Sequence, residues 1–418
     1  MADVQPLRAL HYRPEVVGGL PAVTAPPYDV IDARERAGLA ASSPYNVVHV
    51  DLPEGEEPYA TAATLLERWR REGALVRDPE PALWTLSQEY PGPDGSPQVR
   101  RGLFARVRVE EYGAGRIRPH ERTHPGPKED RLRLTRATRT NLSPIFSLYS
   151  DRAGAVRAAL ESTTDVVASG EVTDEAGTVH RLARVGDADA IARVHEALAG
   201  EELLIADGHH RYETARVYAD EVGGEGAHRY VLMCLVALED PGLNVLPTHR
   251  LVRGLSADEQ EALARAIRRD FDVVEIAPEE LEPPPGDGPL VLGYMDSHFR
   301  RPFRLTLHQE VADTTLRGEP DAYRRLDTAV LETLLLKGAL GMNDEGISHL
   351  DGLGYARDAD EARALLESGE YDAGFFMRGT PIEQVRAVAA SGTTMPPKST
   401  FFYPKIPTGL LFNPLDED

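Results

Sequence analysis

Apolar residues recur with a helical period over residues 59–72, where Ala62, Leu65, Leu66 and Trp69 share one stripe, and the spacing predicts an amphipathic helix. Residues 82–90 and 99–109 read as two strands around the turn-rich Pro91-Gly92-Pro93-Asp94-Gly95-Ser96-Pro97. In the second strand Leu103, Ala105, Val107 and Val109 alternate with Phe104, Arg106 and Arg108, as in a half-buried antiparallel strand. Between residues 113 and 143 the apolar period disappears, which predicts a long functional loop. Short strands follow at 145–149 and 178–185, with helices at 153–161 and 188–198. The apolar run Leu203-Leu204-Ile205-Ala206 stops at Asp207-Gly208 and passes into a helix over 210–221, a junction suited to presenting chemistry. Residues 229–238 are almost continuously apolar and predict a buried central strand. Beyond a helix at 257–269, residues 278–289 have the proline-rich, acidic composition of a linker. The longest helix is expected over 322–340, with Tyr323, Leu326, Val330, Leu334 and Leu335 on one face. Helices at 359–368 and 381–390 then flank a strand at 373–377. Hairpins and scattered helices without regular βαβ alternation predict an α+β fold with mixed, largely antiparallel sheets. Three regions are expected: an N-terminal α+β region (1–112), a motif-bearing core (113–277) and a C-terminal α/β region (278–418).

Composition narrows the classes. The 418 residues hold 46 basic and 68 acidic side chains, a net charge of −22, so nucleic-acid binding would need a local basic patch. The single cysteine, Cys234, excludes an intramolecular disulfide and a four-cysteine zinc site. No signal-like start and no long apolar run is seen, so a cytoplasmic protein without a membrane partner is expected.

Two constellations concentrate charge and chemistry. From Arg116 to Arg139 eight basic residues (Arg116, Arg118, Arg122, Lys128, Arg131, Arg133, Arg136, Arg139) face three acids (Glu121, Glu129, Asp130), a local excess of +5. Within it, Arg118, His120, Glu121 and Lys128 offer the forks, cation and carboxylate that phosphate chemistry needs. A solvated basic loop accounts for the same residues. In Asp207-Gly208-His209-His210-Arg211 the glycine permits a sharp turn, and the helix start favours an anion that His210 and Arg211 can hold. Helix capping explains Asp207 and Gly208 but leaves His209, His210 and Arg211 unaccounted for. Near the C-terminus Lys398-Ser399-Thr400 lacks the glycines of a Walker loop and reads alone as a stiff connector. His120 and His124 are spaced i, i+4, but Pro119 and Pro125 argue against a metal-binding helix.

The segments Ala25-Pro26-Pro27-Tyr28-Asp29-Val30-Ile31, Ile117-Arg118-Pro119-His120-Glu121, Gly126-Pro127-Lys128-Glu129-Asp130-Arg131, Asn141-Leu142-Ser143-Pro144-Ile145-Phe146, residues 206–215, Leu246-Pro247-Thr248-His249-Arg250 and Met395-Pro396-Pro397-Lys398-Ser399-Thr400 resemble, in order, the bacterial and archaeal family called domain of unknown function 1015 (DUF1015). More distantly, Gly208, His210, Arg211 and Ala215 resemble the nucleotide-phosphate motif of the ParB and sulfiredoxin superfamily. Asp-Gly-His-His-Arg is similar to the form in its free serine kinases. The resemblance implies a ParB/sulfiredoxin-like nucleotide-binding core. The helix-turn-helix pair of the DNA-binding members is not seen, and the sulfiredoxin cysteine is missing.

Three functions follow as expectations. The first is a nucleotide-dependent phosphotransferase acting on a small hydroxyl metabolite such as free serine, or a phosphatase, with Mg2+ and ATP or ADP. Arg118, His120, Lys128, His210, Arg211, Lys398, Ser399 and Thr400 would contact phosphate, and Glu121, Asp207 and His209 would be catalytic. The second is a nucleotide-gated binding module without turnover, and the third a metal-dependent hydrolase. The partner expected is a small phosphate-bearing molecule rather than nucleic acid. The two basic constellations should line one cleft, and residues 395–400 should fold onto it.

Overall fold

The computed structural model describes residues 2–93, 95–112, 115–121, 125–286 and 288–416. The chain forms two compact units. The first takes in Met1–Pro119, Thr123–Asn244 and Pro404–Asp418, and the second His120–Arg122 and Val245–Tyr403. These limits differ from the expected divisions at 112/113 and 277/278. The proline-rich stretch does not separate domains, because Leu281 within it is buried in the core of the second unit beside Met295 and Phe376.

The first unit is built on a nine-stranded sheet. Its strand order is Ile117–Arg118, Leu203–Asp207, Ile145–Tyr149, Tyr230–Ala237, Pro97–Arg108, Leu83–Pro91, Val179–Val185 and Val166–Thr173, and Val4–Gln5 pairs with Pro97–Arg108. Two pairings are parallel, Leu203–Asp207 with Ile117–Arg118 and Tyr230–Ala237 with Ile145–Tyr149; the others are antiparallel. Val231 to Val236 are all buried, as the continuous apolar run predicts for a strand covered on both faces. The helix Ala188–Leu198 starts where the Asp187 carboxylate accepts from the N–H groups of Asp189 and Ala190. It buries Ala190, Val194 and Leu198, spaced i, i+4 and i+8.

Residues 113–143 are not a long loop: Pro125–Thr138 is a 14-residue helix, flanked by the short strands Ile117–Arg118 and Thr140–Asn141. Among its described side chains the buried positions are Arg131, Leu132, Leu134 and Thr138. Two of these four are polar, which erases the hydrophobic period.

The second unit carries a six-stranded sheet in the order Phe271–Glu275, Phe303–Leu307, Val291–Asp296, Ala373–Phe376, His249–Val252 and Leu353–Ala356. All five of these pairings are antiparallel, so the expected C-terminal α/β region is corrected to α+β. The helix expected over 322–340 is also broken. It runs as Asp321–Arg324 and Asp327–Leu331, then widens to i→i+5 bonding over Glu332–Ala339. The wider turns change the face, so Leu335 and Leu336 are buried where Leu334 and Leu335 were expected. The molecule is thus mixed α+β, and no helix among the described residues is long and apolar enough to cross a membrane.

Candidate functional site

In the first unit the strand Leu203–Asp207 ends on a carboxylate and the helix His209–Val222 begins two residues later. Gly208 makes the turn at φ +96°, a conformation that L side chains rarely adopt. One oxygen of Asp207, Oδ2, accepts from Arg211 Nη2 at 2.8 Å, and Oδ1 accepts from Lys405 Nζ at 3.1 Å. Burial opposes the charge on Asp207, but Lys405 and Arg211 outweigh it and hold the carboxyl well below the usual carboxylate range. The positive end of the helix dipole lies at the same junction.

Arg211 donates through Nη1 to the Pro144 carbonyl, while its buried Nε has no hydrogen-bond partner. Tyr28 lies against two guanidiniums, 4.4 Å from Arg131 and 5.9 Å from Arg211, measured to the ring centre. Burial pushes the Tyr28 hydroxyl up to about 12, against the pull of Arg211. Arg131 is held through all three of its nitrogens: Nη1 donates to the Asp51 carbonyl (2.7 Å) and carboxylate (3.2 Å), and Nε and Nη2 donate to Asp130 Oδ2 at 2.8 and 2.6 Å. Burial pushes the Asp51 carboxyl up, against Arg131 and Arg211. A cavity of about 40 Å³ lies among Asp51, Arg131, Asn141, Ser143, Arg211 and Thr214. That is room for water, not for a nucleotide.

The sequence-predicted residues fall into two groups. Asp207, His209, His210 and Arg211 stand together at the junction, and Lys128 joins the same helix through Glu213 Oε2 at 2.7 Å. His209 is buried and His210 half-buried. Arg118 pairs with Glu202 Oε1 at 2.7 Å, at the start of the strand whose far end carries Asp207.

His120, Glu121, Lys398, Ser399 and Thr400 meet in the second unit. His120 Nε2 lies 2.8 Å from Thr400 Oγ1, the Met395 N–H donates to the His120 carbonyl, and the Lys398 N–H reaches Glu121 Oε1 at 3.4 Å. Residues 395–400 therefore pack against His120 and Glu121 within the second unit. Ser399 Oγ donates to the Pro396 carbonyl and accepts from Thr328 Oγ1, which engages that hydroxyl internally. Arg250, buried and in the Leu246-Pro247-Thr248-His249-Arg250 segment, donates to the carbonyls of Thr248, Pro397 and Lys398 and so fixes the loop. Lys398 sits at φ +56°. Arg122 and His124 lie outside the described residues.

Sequence reasoning overlooked Lys405, Asp51 and Arg250 as parts of these groups. Arg250 lies in one of the segments that resemble the DUF1015 family, whereas nothing in Tyr403-Pro404-Lys405-Ile406-Pro407 marks Lys405.

Comparison with known proteins supplies the family. Its sequence model, "Protein of unknown function (DUF1015)", matches residues 4–329, and the chain belongs to this family. No curated protein matches the chain. Among solved structures it is similar to a conserved hypothetical protein from Pyrococcus furiosus, at 17% identity and a TM-score of 0.37, with 73% of this chain and 93% of that chain covered. It is also similar to a free serine kinase in complex with AMP, at 15% identity and a TM-score of 0.35, covering 72% and 86%. A third is SbnI with C-terminal truncation from Staphylococcus aureus, at 11% identity and a TM-score of 0.36, covering 72% and 84%.

Proposed function

We propose that this protein is a phosphate-handling enzyme, a nucleotide-dependent phosphotransferase acting on a small hydroxyl metabolite such as free serine. One observation carries the reading: an ionised carboxylate, Asp207, stands at the start of a helix within hydrogen-bond reach of Arg211. Cations and amides are enough to bind an anion, so a binding module has no use for a carboxylate there. A phosphotransferase needs one to orient or deprotonate the acceptor hydroxyl. In this reading Arg211, His210 and Lys128 contact phosphate, Asp207 acts on the acceptor and His209 assists it. Arg118 is a peripheral cation. Within the second unit, Lys398, His120, Ser399 and Thr400 are proposed separately as phosphate contacts, with Glu121 as the carboxylate of that group. The choice of serine rests on the resemblance of Asp207-Gly208-His209-His210-Arg211 to the free serine kinase motif.

ATP or ADP is the proposed nucleotide. Mg2+ in such sites takes one or two carboxylates plus substrate phosphates, a demand that Asp207 meets once a cation turns from it to phosphate. Bound Mg2+ would neutralise charge on the transferring phosphoryl group. Among the described residues no group of three or more His, Cys, Asp or Glu could hold a metal ion, which argues against the metal-dependent hydrolase.

The test is to screen ATP and ADP with serine and related acceptors, and phosphoserine for hydrolysis, then to compare two variants by calorimetry and single-turnover rate. Arg211→Ala should weaken nucleotide binding roughly 10- to 100-fold, the worth of a desolvated charge-assisted hydrogen bond. Asp207→Asn should leave binding largely intact and cut turnover by about 100-fold or more. Wild-type protein that binds no nucleotide, together with an Asp207→Asn variant that unfolds, would reduce Asp207 to a structural staple and end the enzymatic reading.

A further inference from the structure

The carboxylate of Asp207 is shared by two cations, and the second is held by machinery of its own. Lys405 leaves about a fifth of its side chain exposed, as does Asp207, and Arg211 about a tenth. Two cations on one carboxylate, at a helix N-terminus, give an arriving phosphate two donors that can turn to it, with Asp29 and Asp51 also acting on Arg211.

The main chain around Lys405 is clamped from the sheet. Gln88 Nε2 donates to the Lys405 carbonyl at 2.9 Å, and Arg100 Nη2 donates to the Pro404 carbonyl. Arg100 Nε also donates to Gln88 Oε1 at 3.0 Å, and its guanidinium lies 4.5 Å above the Phe146 ring. Phe146 is the residue registered opposite Asp207 in the sheet. Behind Gln88, His180 Nδ1 accepts from Nε2 at 3.0 Å, and His180 Nε2 donates to Asp174 Oδ2 at 2.9 Å. This fixes the neutral Nε2–H tautomer and the orientation of the amide.

Burying Arg100 at 0% exposure with carbonyl and amide acceptors, its Nη1 unpartnered, is costly. Docking a short C-terminal segment does not require a buried guanidinium. Fixing one lysine beside one carboxylate makes use of it.

We infer that Lys405 is a phosphate-contacting residue of the Asp207–Arg211 site, and that Gln88 and Arg100 are positioning residues that hold it there. This rests on the phosphotransferase reading. In this structure Lys405 pairs with Asp207 Oδ1. When phosphate arrives, the Lys405 ammonium turns to a phosphate oxygen and leaves Asp207 Oδ1 open to the acceptor hydroxyl. No bond is made or broken in this exchange.

The test measures binding of ADP and of inorganic phosphate by calorimetry in the full chain, with thermal unfolding as a check on folding. Lys405→Met should weaken both ligands about tenfold or more, and Lys405→Arg, which keeps the charge, should recover most of the loss. Gln88→Glu keeps the size but removes the donor to the Lys405 carbonyl. It should raise the KM for nucleotide with a smaller effect on kcat, whereas a merely structural defect would lower the amount of active protein and leave KM unchanged. If wild type binds ADP and Lys405→Met binds it equally well, the lysine is a staple and this inference falls while the phosphotransferase reading stands. If wild type binds neither ADP nor phosphate, both fall. Should Lys405→Met not fold, Lys405→Arg and Gln88→Glu decide the matter, and unchanged affinity and KM in both would overturn the inference.

Discussion

Gly208 joins the strand end to the helix start by a backbone angle that only glycine holds without strain, and Arg211 closes over the space where a side chain would begin. A Cβ at this position would stand 2.9 Å from Arg211 Nε. Gly208→Ala should therefore cost about 1–2 kcal/mol of stability from the left-handed backbone alone. It should also push the guanidinium from Asp207, so phosphate affinity should fall further than the stability loss explains. Denaturant unfolding and calorimetry on the same variant check the two effects, and a stable variant with wild-type affinity would contradict the prediction. At this scale much of the site was legible. Asp, Gly, two His and Arg in a row exceed what a helix cap requires, and the structure places them at one junction. Lys405 was not legible, because its role comes from Gln88 and Arg100, more than 300 positions earlier in the chain.

The helix Pro125–Thr138 shows why an element can be hidden while its chemistry is visible. Its arginines were read as one basic population, yet they do different work. Arg131 is about 6% exposed and joins Asp51, Asp130 and the Tyr28 ring, whereas Arg133 pairs with Glu129 one turn away on an exposed face. Removing one partner of a buried pair leaves the other charge stranded, so Arg131→Ala should cost about 3–5 kcal/mol by leaving Asp51 uncompensated. Arg133→Ala, on the exposed face, should leave stability nearly unchanged. Urea unfolding of the two variants gives the comparison, and equal losses would mean that Arg131 is not the anchor of the helix. Hydrophobic periodicity finds helices whose buried face is apolar, such as Ala188–Leu198, and misses one anchored by an arginine. Strand Val166–Thr173 was missed for the converse reason: at the sheet edge, with most of its residues exposed, it has little buried pattern to show.

At the scale of the whole molecule, sequence order was a poor guide to neighbourhood. Strands Ile145–Tyr149 and Tyr230–Ala237 lie side by side though some eighty residues apart, and the C-terminal segment from Pro404 returns to the first unit. Such pairings leave no local signature. Charge is a whole-molecule property that the sequence does report, and the structure shows how the basic segment fits within it. Arg118 pairs with Glu202, Lys128 with Glu213, Arg131 with Asp51 and Asp130, Arg133 with Glu129, Arg136 with Glu221 and Arg139 with Asp416. Arg116 donates to the Gly200 carbonyl. Among the described residues, the seven cations of the segment are thus engaged within the first unit rather than spread as a stripe. A duplex would have to break several of these pairs to gain phosphate contacts, against a net charge of −22. Fluorescence anisotropy with a random duplex should show no binding tighter than about 10⁻⁴ M at physiological salt, the weak end of ordinary non-specific binding. Nucleotide binding should survive the same salt, because a desolvated site is screened much less than a surface. Micromolar duplex binding that collapses steeply with added salt would show that the basic segment is a nucleic-acid surface and would favour the binding module over the phosphotransferase.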